Sequence, residues 1–171
     1  MKFELKPKRV PKVFDQRIAQ EIYNLFSESS EKLRTFFASV ASCSPYLYSQ
    51  IVKEKSWLVN AVGDNDFNIL SLLSSLDSET YDSLYLKLRI AKRRAALWIA
   101  LNDLADTWSL EVVTKNLSEF ADKAINLSWQ ASFLKELKKG KFPKQYDGDP
   151  DKVGFFILAM GKLGAFELNY S

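Results

Sequence analysis

Apolar side chains recur along most of this chain at the three- and four-residue spacing that puts them on one face of a helix. Ile18, Ile22, Leu25 and Phe26 share such a face, and Asp15 ahead of them can accept hydrogen bonds from a helix's first free N–H groups. A second helix is predicted from about Ser30, with Leu33, Phe36, Phe37 and Val40 inward and an end before Pro45. Pro45 suits the first turn of a third, short helix carrying Leu47 and Ile51. "VGDND" at 62–66 reads as a turn, after which Phe67, Leu70, Leu73 and Leu76 resume a helical face.

Two long helices follow. Leu84, Leu88, Ala91, Ala95, Trp98, Ile99 and Asn102 trace the first, from near Ser78 to near Asp106. The second opens at Ser109 and carries Val113, Leu117, Phe120, Ala121, Ala124, Leu127, Ala131 and Leu134, stopping at Gly140, where a left-handed C-cap suits glycine. Their short connection makes them an antiparallel pair. Six helices with short links indicate an α-helical bundle over residues 15–140, preceded by an extended basic arm at 1–14.

Beyond Gly140 the pattern changes. "KFPKQYDGDPDK" has two prolines, a glycine and alternating charges, and reads as a loop. "VGFFILAM" at 153–160 is a continuous apolar run whose aromatic and Ile/Val content favours a buried strand. A strand needs sheet partners. Residues 141–171 therefore read as the incomplete start of a second domain, or as a strand that another subunit completes.

Composition narrows the chemistry. With 47% hydrophobic residues among 171, the chain can fill a core. A net charge of +3 is too mild to point to nucleic acid. The absence of histidine excludes Ser-His-Asp and Cys-His catalysis and the usual Cys/His zinc sites within this chain, leaving oxygen-ligated hard cations as the metals it could bind. One cysteine, Cys43, permits no intrachain disulfide and reads as a small buried packing residue in a reducing compartment. Without a secretory h-region or a run of roughly 20 apolar residues, the expected location is cytoplasmic, with no membrane partner.

Several groups could carry function. "KLRIAKRR" at 87–94 holds five positive charges, read as a solvated helix face or, alternatively, a landing surface for an anionic partner. Lys6, Lys8, Arg9 and Lys12 read as a solubilising arm. Trp57, Trp98, Trp108 and Trp129 read as core anchors. Asp147, Asp149 and Asp151 alternate in "DGDPD", yet precede the strand beside Pro150 and read as a solvated loop. Gly161-Lys162-Leu163-Gly164 directly follows the apolar run, where glycine would let phosphate oxygens approach bare N–H groups. It is neither a Walker A loop nor a G-x-G-x-x-G turn, and spacing alone leaves a plain tight turn open.

The wording "ILAMGKLGAFELNYS" at 157–171 resembles the signature opening the nucleotidyltransferase domain of the glutamine synthetase adenylyltransferase/deadenylylase family. There an apolar strand precedes G-K-L-G-G-x-E-L-N-[FY]-S and then S-D-[IA]-D-L. The match covers Gly161, Lys162, Leu163, Gly164, Glu167, Leu168, Asn169, Tyr170 and Ser171, and departs at Ala165, which stiffens the expected turn. Residues 88–122, "LRIAKRRAALWIALNDLADTWSLEVVTKNLSEFAD", are similar to that family's arginine-rich helical segment.

The resemblance implies a mainly α fold: a helical bundle followed by the first strand and glycine turn of a polymerase-β-like α/β nucleotidyltransferase domain. It assigns Gly161, Lys162, Gly164 and Ser171 to nucleotide or phosphate binding, with Glu167 and Asn169 in support. "ELNYS" resembles the amino-terminal, deadenylylating half, which releases ADP from adenylyl-tyrosine by phosphorolysis. The family works with Mg2+ or Mn2+ on an Asp-x-Asp pair whose position would follow Ser171. The expectation is thus a truncated piece without a complete catalytic set or metal ligands of its own. Implied partners are glutamine synthetase, a nucleotide and the nitrogen-signalling PII protein. The alternative is a non-enzymatic helical interaction module.

Overall fold

The computed structural model describes residues 5–64, 66–74, 76, 81–143 and 149–170, the side chain of Asp151 excepted. Its helices are α1 (Gln16–Leu25), α2 (Glu31–Cys43), α3 (Pro45–Lys53), α4 (Lys55–Gly63), α5 (Ser71–Ser74), α6 (Tyr81–Leu104), α7 (Leu110–Lys138) and α8 (Gly161–Gly164), with a 3-10 turn at Pro150–Val153. The fold is mainly α, and no strand forms among the described residues. The chain divides into two compact units, Met1–Asn68 with Arg93–Val113 and Ile69–Lys92 with Thr114–Ser171.

The first unit begins as its caps dictate. The Asp15 carboxylate accepts from the N–H groups of Arg17 (2.9 Å) and Ile18 (3.0 Å), satisfying orphan donors of α1. Ser30 caps α2 at Leu33, and Ser44 caps α3 at Leu47 with Pro45 in the first turn. Phe26 and Phe37 meet with ring centroids 4.8 Å apart, joining α1 to α2 over a core that includes Ile22, Phe36 and Val40. Trp98, fully buried, touches Phe67 and Trp57 edge-on, at 4.8 and 6.4 Å.

The sequence pattern misses α4. A single residue, Glu54, separates it from α3, and helix α4 runs through Val62 and Gly63, so the expected turn starts only at Asp64. The helix expected over 67–76 shrinks to the one turn of α5, because the Leu72 and Leu73 N–H groups bond three residues back, to Ile69 and Leu70. Of the four residues expected on that face, Phe67, Leu73 and Leu76 are buried all the same, whereas Leu70 is half-buried and Ile69, off the expected face, is buried. Burial, not helicity, is what that spacing recorded.

Glu54 is the most consequential residue of the unit. Its side chain is 4% exposed, and both oxygens are taken by α6: Oε1 by Arg93 and Oε2 by the Arg94 Nε at 2.7 Å. Arg94 also lies over the Trp57 ring, 5.4 Å from its centroid. Arg93 and Arg94 are therefore not part of a freely solvated basic face. They neutralise a buried carboxylate. Burial drives the Glu54 carboxyl upward, and the hydrogen bonds and charges of Arg94 and Arg93 outweigh it, leaving the pKa below the ordinary carboxylate range.

The arm is not merely solubilising. Leu5 and Pro7 are buried, and the N–H groups of Lys8 and Arg9 both bond the Ala105 carbonyl at the end of α6. There Asp106 takes a left-handed φ of 55° and Thr107 N–H reaches back to the Asn102 carbonyl, closing the helix with the paired bonds usually built on glycine. Cys43 is likewise not a packed thiol. It is exposed, and its Sγ lies 3.2 Å from the Lys12 carbonyl, because α2 ends where the arm crosses it.

In the second unit, Lys135 near the end of α7 reaches the Tyr81 ring (3.7 Å) and Asp82 (3.4 Å) at the start of α6, so these stretches run antiparallel. Ser78 lies outside the described residues. Leu134, expected inward, is 40% exposed, and its neighbour Phe133 is buried at 1%. Helix α7 ends at Gly140, with φ +71° and bonds from Gly140 N–H to Leu137 and Lys141 N–H to Glu136. Hydrogen bonds from Lys139 and then Lys141 hold the Glu136 carboxyl down at about 2.

Removing the buried carboxylate strands two guanidinium groups. Glu54→Ala is expected to lower stability to urea by about 2–3 kcal/mol, below the range for fully buried pairs because both arginines are partly exposed. As the folded pKa lies below 4.5, this contribution is full at neutral pH and disappears as pH falls through the folded value. Between about pH 5 and pH 3 the wild-type melting temperature should therefore fall further than that of Glu54→Gln.

Candidate functional site

The segment carrying the candidate residues leaves α7 at Gly140 and returns to lie along that helix. Gly154 has φ +69°, and residues 154–160 are neither helical nor paired in a sheet. The strand expected at 153–160 is therefore not formed within this chain, nor is it buried: Phe156, Leu158 and Met160 are 79%, 73% and 78% exposed. Among the described residues no strand pairs with this segment, and Phe155 and Ile157 face α7. Phe155 stacks on Trp129 with ring centroids 4.1 Å apart and planes 25° from parallel. Together with Ile125, Ser128, Ser132 and Ile157 this pair lines an open groove of about 380 Å³. Trp129 is thus a half-buried platform, unlike the fully buried Trp98.

The motif itself is one helical turn. Gly161 opens α8 with φ +58°, a left-handed conformation that favours glycine. Gly164 is required for another reason: a Cβ there would stand 2.6 Å from the Ala159 carbonyl oxygen, closer than side-chain carbons approach backbone. The turn closes through Phe166 N–H to Leu163 (3.1 Å) and Glu167 N–H to Lys162 (2.8 Å), with Phe166 at φ +58°. Ala165 sits at φ −86°, ψ −1°, ordinary for any residue, so alanine there does not stiffen the turn. The left-handed position is one residue later.

Gly161, Lys162 and Gly164 are thus brought together, all exposed, and Met160 offers no side-chain cap to the first amides of α8. Among the described residues Lys162 has no ion-pair partner, so its ammonium is available to an anion. Glu167 and Asn169 are exposed just beyond, and Glu167 enters the turn through its backbone amide. Ser171 lies outside the described residues. The segment is tied down again at Leu168, whose N–H donates to the Ser118 Oγ on α7 at 3.3 Å.

Among the described residues no group of three His, Cys, Asp or Glu side chains is placed to hold a metal ion. Asp149 pairs with Lys152 at 3.2 Å, while Asp147 and the Asp151 side chain lie outside the described residues. No described helix is long and apolar enough to cross a membrane.

The sequence profile of the glutamate-ammonia ligase adenylyltransferase family matches residues 33–171, from α2 through α8. The chain belongs to this family. It is 32% identical over 146 residues to a bifunctional glutamine synthetase adenylyltransferase/adenylyl-removing enzyme of Bradyrhizobium sp., a match covering 81% of this chain and 15% of the relative. Enzymes of the same description in Rhodopseudomonas palustris and Caulobacter vibrioides share 32% over 148 residues and 31% over 140, covering 81% and 78% of this chain and 15% and 14% of theirs. The adenylyltransferase-family segment described here therefore spans about 15% of the length of the curated relatives it matches. No solved structure matches it.

Two attachments on α7 escaped sequence reasoning. Ser118 falls within the stretch 88–122 that resembles the family and Trp129 reads as a core anchor, but neither reading assigns them a contact with residues beyond Gly140. An available signal was Ser118 itself, a hydroxyl among Leu117, Phe120 and Ala121, which needs partners when buried.

The two glycine positions of the turn differ in what they tolerate from Ala165. Gly164→Ala should weaken protection of amides 159–167 in hydrogen exchange by about 1–3 kcal/mol, since the added carbon must displace backbone. Ala165→Gly is expected to change it by less than about 1 kcal/mol.

Proposed function

We propose that this segment serves a bifunctional enzyme that adenylylates and deadenylylates glutamine synthetase, and that it belongs to the deadenylylating half. In that reaction a phosphate oxygen attacks the AMP phosphorus of adenylyl-tyrosine. The bond to the phenolic oxygen breaks, ADP leaves, and tyrosine recovers its proton. The observation supporting the reading is the agreement of wording and geometry at α8. The matched glycines fall where φ is +58° and where a Cβ would meet the Ala159 carbonyl at 2.6 Å.

In this reading residues 153–160 become the opening strand of a polymerase-β-like sheet once the longer polypeptide supplies its neighbours. Gly161, Lys162 and Gly164 form the phosphate side of the nucleotide site. Ser171 stands near the metal, and Glu167 and Asn169 support the turn. Mg2+ or Mn2+ would be held by carboxylates outside the described residues, which offer no fitting ligand set. The 171 residues alone would then turn over nothing. Glutamine synthetase is the substrate, the nitrogen-signalling PII protein a further partner, and the setting cytoplasmic.

The test uses the polypeptide at its relatives' length, assayed in both directions. Lys162→Ala is expected to slow phosphate-dependent release of ADP from adenylylated glutamine synthetase by about tenfold or more, leaving adenylylation unchanged. Loss of adenylylation instead would overturn the assignment of the half. Release of ADP by the 171-residue chain alone would overturn its inactivity.

A further inference from the structure

We infer that Ser118 and Trp129 of α7 are positioning residues that clamp the glycine turn at both ends and set where its amides and Lys162 stand. The inference rests on the phosphate role proposed for that turn. Between Gly154 and Leu168 the chain is attached to α7 through the Phe155–Trp129 stack at 4.1 Å and the Leu168 N–H to Ser118 Oγ bond at 3.3 Å. They bracket α8, one on each side, and everything between them is exposed apart from the half-buried Leu163 and Leu168. On the helix the two sites are eleven residues apart, roughly 16 Å at 1.5 Å per residue. The twelve residues between Phe155 and Leu168 are thus pinned across about three helical turns.

Each anchor has the chemistry of a fixed point. Ser118 is fully buried, and its hydroxyl donates to the Thr114 carbonyl at 2.9 Å while accepting from Leu168, so it has one orientation to offer. Ser128 and Ser132, by contrast, bond only the carbonyl four residues back. Trp129 is held from behind by Phe133 at 5.8 Å, and Phe142 packs on Phe133 in turn at 4.9 Å. The stack therefore continues into a run of aromatic rings. Within α8 there is no room for a Cβ on Gly164 beside the Ala159 carbonyl, and the Phe166 and Glu167 bonds close the turn between the two anchors. Pinning both ends converts a surface loop into a part whose groups arrive in register with a bound anion.

Three variants test this: Trp129→Ala, Ser118→Ala, and Trp129→Phe as the conservative control that keeps a stacking ring. In the 171-residue chain, hydrogen exchange of amides 156–167 should rise in the two alanine variants and stay near wild type in Trp129→Phe. At the relatives' length, the alanine variants should raise KM for inorganic phosphate about tenfold with kcat changed far less, and Trp129→Phe should restore it. Unchanged exchange across 156–167 would overturn the clamp. Raised exchange with an unchanged KM would overturn the positioning role. If Lys162→Ala also leaves KM for phosphate unchanged, the phosphate reading of the turn falls and the positioning role with it, while the exchange data still judge the clamp.

Discussion

A carboxylate removed from water must be met by positive charge, and at Glu54 that requirement organises the first unit. The residue sits at the single break between α3 and α4, where backbone direction changes and apolar side chains close in on both sides. Two consecutive arginines of α6, Arg93 and Arg94, take its two oxygens and so tie this stretch of α6 to the break between α3 and α4. Trp57, Phe67 and Trp98 fill the space beside that contact, and Arg94 spans charge pairing and ring stacking. Removing Glu54 strands both guanidinium groups, whereas replacing either arginine leaves Glu54 paired with the other and one carboxylate oxygen without its donor.

How much of this was legible in the sequence follows from which signals are local. The cap at Asp15, the helix start near Ser30, the proline at the start of α3 and the glycine closing α7 each act over three or four residues, and all appear where the pattern places them. The role of "KRR" does not, since Arg93 and Arg94 acquire their meaning from a residue some forty positions earlier. The same holds for Cys43, whose exposure depends on the arm crossing α2, and for α5, where buried spacing mimics a helix that backbone bonding does not form.

The candidate site divides the same way. Gly161-Lys162-Leu163-Gly164 was readable because its two glycines answer requirements within the turn itself, one of dihedral angle and one of space. The strand before it was readable only as an apolar run. Strand formation depends on hydrogen-bonding neighbours, and residues 154–160 have none among those described here, resting instead on one ring of α7. The attachments at Ser118 and Trp129 join positions 50 and 26 residues apart, a separation no periodicity encodes. What similarity supplied was the family; what geometry added was the way the turn is held.

The burial of Leu5 and Pro7 bears on where this part of the family begins as a folded object. Similarity to the family profile starts at residue 33, inside α2, yet the unit containing that helix includes α1 and an arm whose amides cap the Ala105 carbonyl. Excision at residue 33, where the profile match begins, would uncover Phe36 and Phe37 and leave the end of α6 open. The edge of a sequence profile and the edge of a folded unit differ here, and a folded piece must be cut along the second.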